Sequence, residues 1–309
     1  AVSGGPDSIA LMGLYAEARQ VAGLPDALVA TVDHGLRAGA RAEADAVGRQ
    51  AAHLGFPHHI LAWNGQKPAA RLQEMAREAR YDLLGQLLRQ QGAAAILTAH
   101  TLDDQAETIL MRMARGSGPA GLVGIQPVRM FRGLRLVRPF LGLSKARLVA
   151  TCRNRGWACV TDPSNANPDF QRVRIRALAP ALAQEGITPE RLALFSMRMA
   201  RVQEALAACA RQILASIMFG QRGRNAYDAV RLVGEPEEII LTVLRMLIDA
   251  MREDIDQEGP IRLNRLEALA GRLIAAVRAG EVFSGTLGGI ELRVRSGILT
   301  LQPEKPRKR

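Results

Sequence analysis

Short apolar runs alternate with amphipathic stretches over roughly the first 140 residues. Residues 27–32, 58–62 and 94–98 read as strands, bounded by polar or glycine-containing segments. Between them, residues 39–54 are rich in Ala and charge. Residues 69–90 place Leu72, Met75, Ala79, Leu83 and Leu87 on one helical face. This alternation predicts an α/β fold of βαβ units, a Rossmann-like parallel sheet with helices on both faces. Ligands of such sheets sit at the carboxyl ends of the strands, so the strand ends are the places to look for chemistry.

Further along, residues 128–137 read as a hairpin ended by Arg138-Pro139, and residues 143–155 and 173–182 as helices. A long helical pattern over 188–219 carries Leu192, Leu194, Met197, Val202, Leu206 and Ile213. The flexible, charged stretch 220–225 is the expected boundary. Beyond it, two amphipathic helices (235–251 and 264–277) and short strands at 281–283, 290–294 and 298–301 predict a small α+β unit. The expected organisation is therefore a catalytic domain over 1–220 including bridging helices, a small domain over 226–303, and a basic tail over 304–309.

Composition narrows the class. A length of 309 residues favours two domains, and 48% hydrophobic residues with mean hydropathy near zero indicates a soluble globular chain. No apolar run approaches the roughly 20 residues that span a bilayer, so no membrane partner is expected. The chain starts inside a motif, and its first strand is expected to be clipped or numbered away. Cys152, Cys159 and Cys209 form no metal-ligand spacing and fit a reducing cytoplasm. The net charge of +11 and pI near 10.6 suggest a polyanionic partner. Between Glu107 and Asp162 there is no acidic residue, while Arg112, Arg115, Arg129, Arg132, Arg135, Arg138, Lys145, Arg147, Arg153 and Arg155 fall in that stretch. A block of one sign reads as a surface that meets phosphates.

Candidate chemistry clusters at strand ends. Ser3, Gly4, Gly5, Pro6, Asp7 and Ser8 precede a helical run from Ile9. Glycines bring bare backbone N–H groups close to a ligand, the serines add hydroxyls, and a helix start adds free N–H groups and the positive dipole end. Phosphate is the expected ligand; the plainer alternative is that Asp7 or Ser8 caps the helix. Asp33 and His34 close the second strand, with Arg37 one turn on. An Asp beside a triphosphate calls for Mg²⁺, although Asp33 can equally cap a turn. His100 and Asp104 flank the next strand-to-helix corner, with Asp103 and Glu107 beside them as a candidate capping pair. Arg115-Gly116-Ser117-Gly118 is a second glycine-flanked hydroxyl. Arg172, Arg174 and Arg176 alternate, so at least one is expected to point towards a ligand.

The loop at residues 3–8 resembles the pyrophosphate loop (PP-loop) of the N-type ATP pyrophosphatases. Taken in order, S-G-G-P-D-S, D-H-G-L-R, H-T-L-D-D-Q-A-E-T, R-G-S-G-x-x-G-L-x-G-I and D-P-S-N with R-x-R-I-R resemble the tRNA(Ile)-lysidine synthetases over residues 1–180. Residues 226–303, with R-L-N-R-L-E at 262–267 and T-L-G-G at 286–289, are similar to that family's small C-terminal tRNA-binding domain. The resemblance implies that ATP and Mg²⁺ bind at the loop, and that the wobble cytidine of a CAU anticodon is adenylated. Free L-lysine then displaces AMP. It further implies Asp33 as the carboxylate on the Mg²⁺ or ATP side, and His100 and Asp104 as groups that position or deprotonate the lysine amine. Arg172 becomes a phosphate clamp, and Arg112, Arg115, Arg138, Lys145 and Arg176 contact tRNA. Val173 and Thr151 stand where that family often has Asn and Tyr.

Three alternatives remain at this point. A tRNA thiolase shares the loop but usually needs a reactive Cys pair or an iron–sulfur site. A non-catalytic RNA-binding module explains the arginines but not the acids and His100. Amidotransferase-type synthetases give no reason for the basic block. A homodimer stays open, because no residue speaks for or against it.

Overall fold

The structure, a computed structural model, describes residues 1–35, 39–64, 67, 72–160, 167–219, 225–254 and 261–304. Arg37, the turn at 162–165, the boundary stretch 220–224 and the tail from 305 lie outside the described residues. Contacts divide the chain into two compact units, one of residues 1–115 and 123–196, the other of residues 116–122 and 197–309.

In the first unit α1 (Pro6–Ala22), β1 (Val29–Asp33), α2 (Ala40–His53), β2 (His58–Ala62), α3 (Leu72–Gln90), β3 (Ile96–Leu97) and α4 (Leu102–Met113) follow one another. β1 and β2 pair in parallel from Val29 opposite His58 to Asp33 opposite Ala62. The expected hairpin is present as β4 (Val128–Phe131) and β5 (Leu134–Val137), with β5 parallel to β3. Residues 1–3 join the two halves of the sheet. Val2 N–H donates to Ala30 O (2.9 Å), and the Ala1 amino group donates to Leu97 O (2.9 Å). The loop at residues 3–8 therefore leaves the middle of the sheet.

Helices do cover both faces. Val29 packs with Ile9, Leu11, Val47, Leu148 and Phe56, whereas the next residue, Ala30, packs with Tyr81, Leu84, Leu87 and Leu136 of the opposite face. Period-2 alternation along β1 divides the two apolar layers. On the first face α1 packs against α6 (Lys145–Asn154), and Gly13 is the point of closest approach: a Cβ there would fall on the Trp157 ring. Gly13→Ala should therefore destabilise the chain by about 1–2 kcal/mol, overpacking outweighing the gain in helix propensity. A urea midpoint that rises instead would show that Trp157 moves aside without cost.

α7 (Gln171–Gln184) and α8 (Pro189–Ile217) follow. The division between units falls within α8, at Ser196/Met197, not at 220 where the composition shift had placed it. The reason is packing: Ala210 and Ile217 of α8 are buried in the core of the second unit. After α5 (Pro119–Leu122), that unit holds β6 (Ala226–Asp228), α9 (Ala229–Leu232), α10 (Glu237–Asp254), α11 (Leu263–Arg278), β7 (Phe283–Leu287), β8 (Ile290–Arg295) and β9 (Ile298–Pro303). Its antiparallel sheet has the order β6-β9-β8-β7. The strand expected at 281–283 starts only at Phe283, because Phe283 and Leu287 are the residues that face the core.

Candidate active site

α1 begins at Pro6 with Gly5 as its N-cap, and no side chain caps it. The capping alternative for Asp7 and Ser8 therefore does not describe this loop. Ser8 shapes it instead: its Oγ accepts from Ser3 N–H (3.2 Å) and donates to Gly5 O (2.9 Å). Its hydroxyl is spent inside the loop rather than aimed outward. Gly4 has φ +89°, a conformation that side-chain-bearing residues avoid. Among the described residues, the N–H groups of Gly4, Gly5 and Asp7 have no hydrogen-bond partner. Three bare donors at a helix start make an anion cradle.

Asp7 is half-buried, and Lys145 Nζ lies 3.4 Å from its Oδ2. Its Oδ1 is buried without a partner among the described residues. Burial raises the carboxyl above its usual range, Lys145 pulls it down, and Asp104 and Asp103 push it up. Lys145 thus lies beside the loop. It arrives there because Asp103 Oδ2 accepts from its backbone N–H (2.7 Å), tying the start of α6 to the start of α4.

The capping box of α4 pairs Thr101 with Asp104, rather than Asp103 with Glu107. Asp104 Oδ2 accepts from Thr101 N–H (2.9 Å), and its Oδ1 lies 4.0 Å from Arg172. Glu107 is buried, at 5% exposure, and two arginines close on it. Arg176 Nε donates to Oε1 (2.7 Å) and Arg172 Nε lies 3.2 Å from Oε2. One helical turn separates Arg172 from Arg176, so both share a face, while Arg174 turns back to Pro168 O and Asp169 O. The sequence missed Glu107 as an anchor because its partners lie more than 60 residues on; a carboxylate one turn inside an apolar helix stripe was the available signal.

His100 Nδ1 is 2.9 Å from Thr98 Oγ1. Burial pushes the imidazole down to about 4; Asp104 opposes this, and Arg138, Arg77 and Arg172 add to it. The folded value lies below the ordinary 6.5, so the contribution of neutral His100 to stability is complete above about pH 6.5 and is lost as pH falls towards 4. His100→Asn should reduce the acid-side loss of melting temperature relative to the unaltered chain. An unchanged difference between pH 7 and pH 4.5 would refute this.

Asp33 ends β1, three residues beyond the Ala30 carbonyl that receives Val2, and so at the same end of the sheet as the loop. Its Oδ1 accepts from Gly35 N–H (2.8 Å), as the turn-capping alternative required, and no bond engages Oδ2 among the described residues. Beside it, Arg80 Nη2 donates to His34 Nε2 (3.3 Å), and Trp63 stands edge-on to the imidazole at 5.8 Å. Burial first, then Arg80 and Lys67, depress His34 to about 4.

Of the remaining arginines, Arg115 is exposed and donates to Gln171 (2.7 Å). Arg138 is a correction: only 5% exposed, it donates to Gln126 O (2.7 Å) and holds the end of the hairpin. Arg112 is half-buried and donates to Gly124 O (3.0 Å). Arg176 is bound to Glu107 rather than spread on a basic surface.

Residues 1–182 match the family described as PP-loop domain. The chain is 54% identical to a tRNA(Ile)-lysidine synthase of Methylobacterium nodulans, with 100% of this chain and 90% of the relative covered. It is 43% identical to one of Bradyrhizobium sp. over 100% of this chain and 90% of the relative. Among solved structures, the U34-tRNA thiolase NcsA of Methanococcus maripaludis with its [4Fe-4S] cluster superposes with TM-score 0.54 at 15% identity, over 64% of this chain and 70% of that one. That likeness shows the fold alone. No helix among the described residues is long and apolar enough to cross a membrane. Identity above half over the whole chain, together with the loop, shows that the chain belongs to the tRNA(Ile)-lysidine synthase family of PP-loop proteins.

Proposed function

We propose that this chain uses ATP to join free L-lysine to C2 of the wobble cytidine in the CAU anticodon of tRNA(Ile), through an adenylated cytidine, releasing AMP and pyrophosphate. The observation that carries the reading is the uncapped loop with three N–H groups that have no partner among the described residues, beside the Asp7–Lys145 pair. The first unit carries the chemistry, and residues 226–303 of the second bind tRNA. All three substrates meet in the cytoplasm.

The loop N–H groups and the dipole of α1 hold the departing pyrophosphate, and Lys145, held by Asp7, adds a positive charge. A magnesium ion fits this end of the sheet: among the described residues Asp33 keeps a carboxylate oxygen unengaged and Asp7 Oδ1 is buried without a partner, and both are hard oxygen donors. Among the described residues no three such side chains gather, so phosphate oxygens would have to complete its shell. When bound, the ion would neutralise phosphate charge. His100, held neutral with a value near 4, is too weak a base to strip an ammonium, so it positions the lysine amine by a hydrogen bond. Asp104, with Oδ1 4.0 Å from Arg172, takes the orienting role for the amine's charge. Arg172, anchored on Glu107, clamps the phosphate of the intermediate. Arg115 and its basic neighbours hold the anticodon stem, from which the base must leave the stack.

Sulfur transfer is disfavoured by chemistry: burial pushes the Cys152 thiol up to about 12, and its Sγ donates to Pro6 O. The test is incubation with ATP, Mg²⁺, labelled lysine and a tRNA(Ile) transcript carrying CAU. Lysine should enter the tRNA with release of AMP. Unincorporated lysine, with label from a sulfur donor entering instead, overturns the reading.

A further inference from the structure

Two motifs of the second unit, R-L-N-R-L-E at 262–267 and T-L-G-G at 286–289, take no part in the chemistry above, and they meet across one groove. Arg265, Ala268 and Arg272 of α11 line a cavity of about 420 Å³ with Thr286 and Gly288 from the end of β7 and its turn. Arg265 and Arg272 are two helical turns apart, about 10 Å of axial rise, on the same side of α11. Arg272 stands over the Phe283 ring at 5.8 Å, which restrains its guanidinium. Among the described residues neither arginine has a carboxylate partner. β7 is an edge of its sheet, and Gly285 lets α11 lie close along it: a Cβ there would stand 2.7 Å from Leu269 Cδ1. Glu304 also lines the groove, and as an acceptor it suits a ribose hydroxyl and repels a phosphate.

We propose that this groove takes the sugar–phosphate backbone of the RNA substrate, with phosphates on Arg265 and Arg272 and a ribose towards Glu304. The identity of the RNA rests on the function proposed above. Two separated guanidiniums and one hydroxyl position a strand; contacts of this kind fix register without reading sequence. The groove therefore contributes affinity for tRNA(Ile) and for the CAU-bearing tRNA(Met) alike, and their discrimination lies elsewhere.

The test is filter binding of the full chain to both tRNA transcripts over a series of KCl concentrations. Ala268 is exposed on α11 between the two arginines, and Glu and Lys have nearly equal helix propensity, so they separate charge from folding. Ala268→Glu should weaken binding of both tRNAs about tenfold and Ala268→Lys should tighten both severalfold. The double variant Arg265→Gln, Arg272→Gln should flatten the slope of log affinity against log salt by about 1.5–2. Shifts of the same sign from Ala268→Glu and Ala268→Lys, or an unchanged slope in the double variant, overturn the groove assignment. Weakening confined to tRNA(Ile) overturns its indifference to sequence. A chain that binds tRNA with these shifts yet makes no lysidine leaves the groove standing and defeats the proposed function; a chain that binds no tRNA defeats both.

Discussion

Asp7→Ala should abolish adenylation, lowering ATP-dependent pyrophosphate release by about a thousandfold or more, while tRNA affinity should stay close to that of the unaltered chain. The size follows from position. Asp7 sits in the first turn of α1, where the N–H groups of Gly4, Gly5 and Asp7 itself have no partner among the described residues, and it holds Lys145 at 3.4 Å. Removing the carboxylate frees Lys145 to wander, leaves the cradle without its fixed cation and takes away a hard oxygen donor. The fold should tolerate the change, because Ser8 rather than Asp7 closes the loop on itself. Asp7→Asn keeps the shape and should be nearly as inactive. If either variant loses tRNA binding together with adenylation, the loop is a structural element and the assignment fails.

Glu107→Ala has the second large effect, on both stability and rate. This buried carboxylate is shared by Arg172 and Arg176, whose side chains are themselves nearly half exposed. Breaking a fully buried pair costs about 3–5 kcal/mol; here the arginines can rehydrate, so about 2 kcal/mol is expected. The rate should fall about a hundredfold, since Arg172 loses the anchor that aims it. Glu107→Gln separates the two effects. It preserves volume and one acceptor, so it should melt close to the unaltered chain while remaining slow at lysine transfer. Full activity in Glu107→Gln would show that the charge of Glu107 is not what positions Arg172.

Several features of the site were legible in the sequence because they are local. The loop at residues 3–8 carries its own mechanism: a positive φ at Gly4, a proline at the first helical position and no capping side chain. His100 and Asp104 belong to one strand-to-helix corner, and the parallel sheet sends Asp33 to the same end as the loop. The family resemblance rested on the same short blocks, and the comparisons agree with it. The charge pattern leaves more undecided. Arg138, Lys145 and Arg176 lie in or near a run of basic residues, but Arg138 is buried on Gln126 O, Lys145 pairs with Asp7 and Arg176 with Glu107. Charge along a chain does not reveal which way a side chain turns, nor which acid from another element will meet it.

By itself the sequence determined the α/β alternation, the strand ends where the candidate residues lie and the glycine-containing loop before α1, since these depend on residues within a turn or two of each other. Only tertiary structure decided that residues 1–3 bridge β1 and β3, that Asp103 brings the start of α6 to the loop, and that Glu107 gathers two arginines more than 60 residues away. It also set the division of α8 at Ser196/Met197, where packing changes although composition does not. The physical reason is common to all of these. Hydrogen bonding within a turn is set by neighbours in the chain, whereas burial and ion pairing are set by whatever the fold brings alongside.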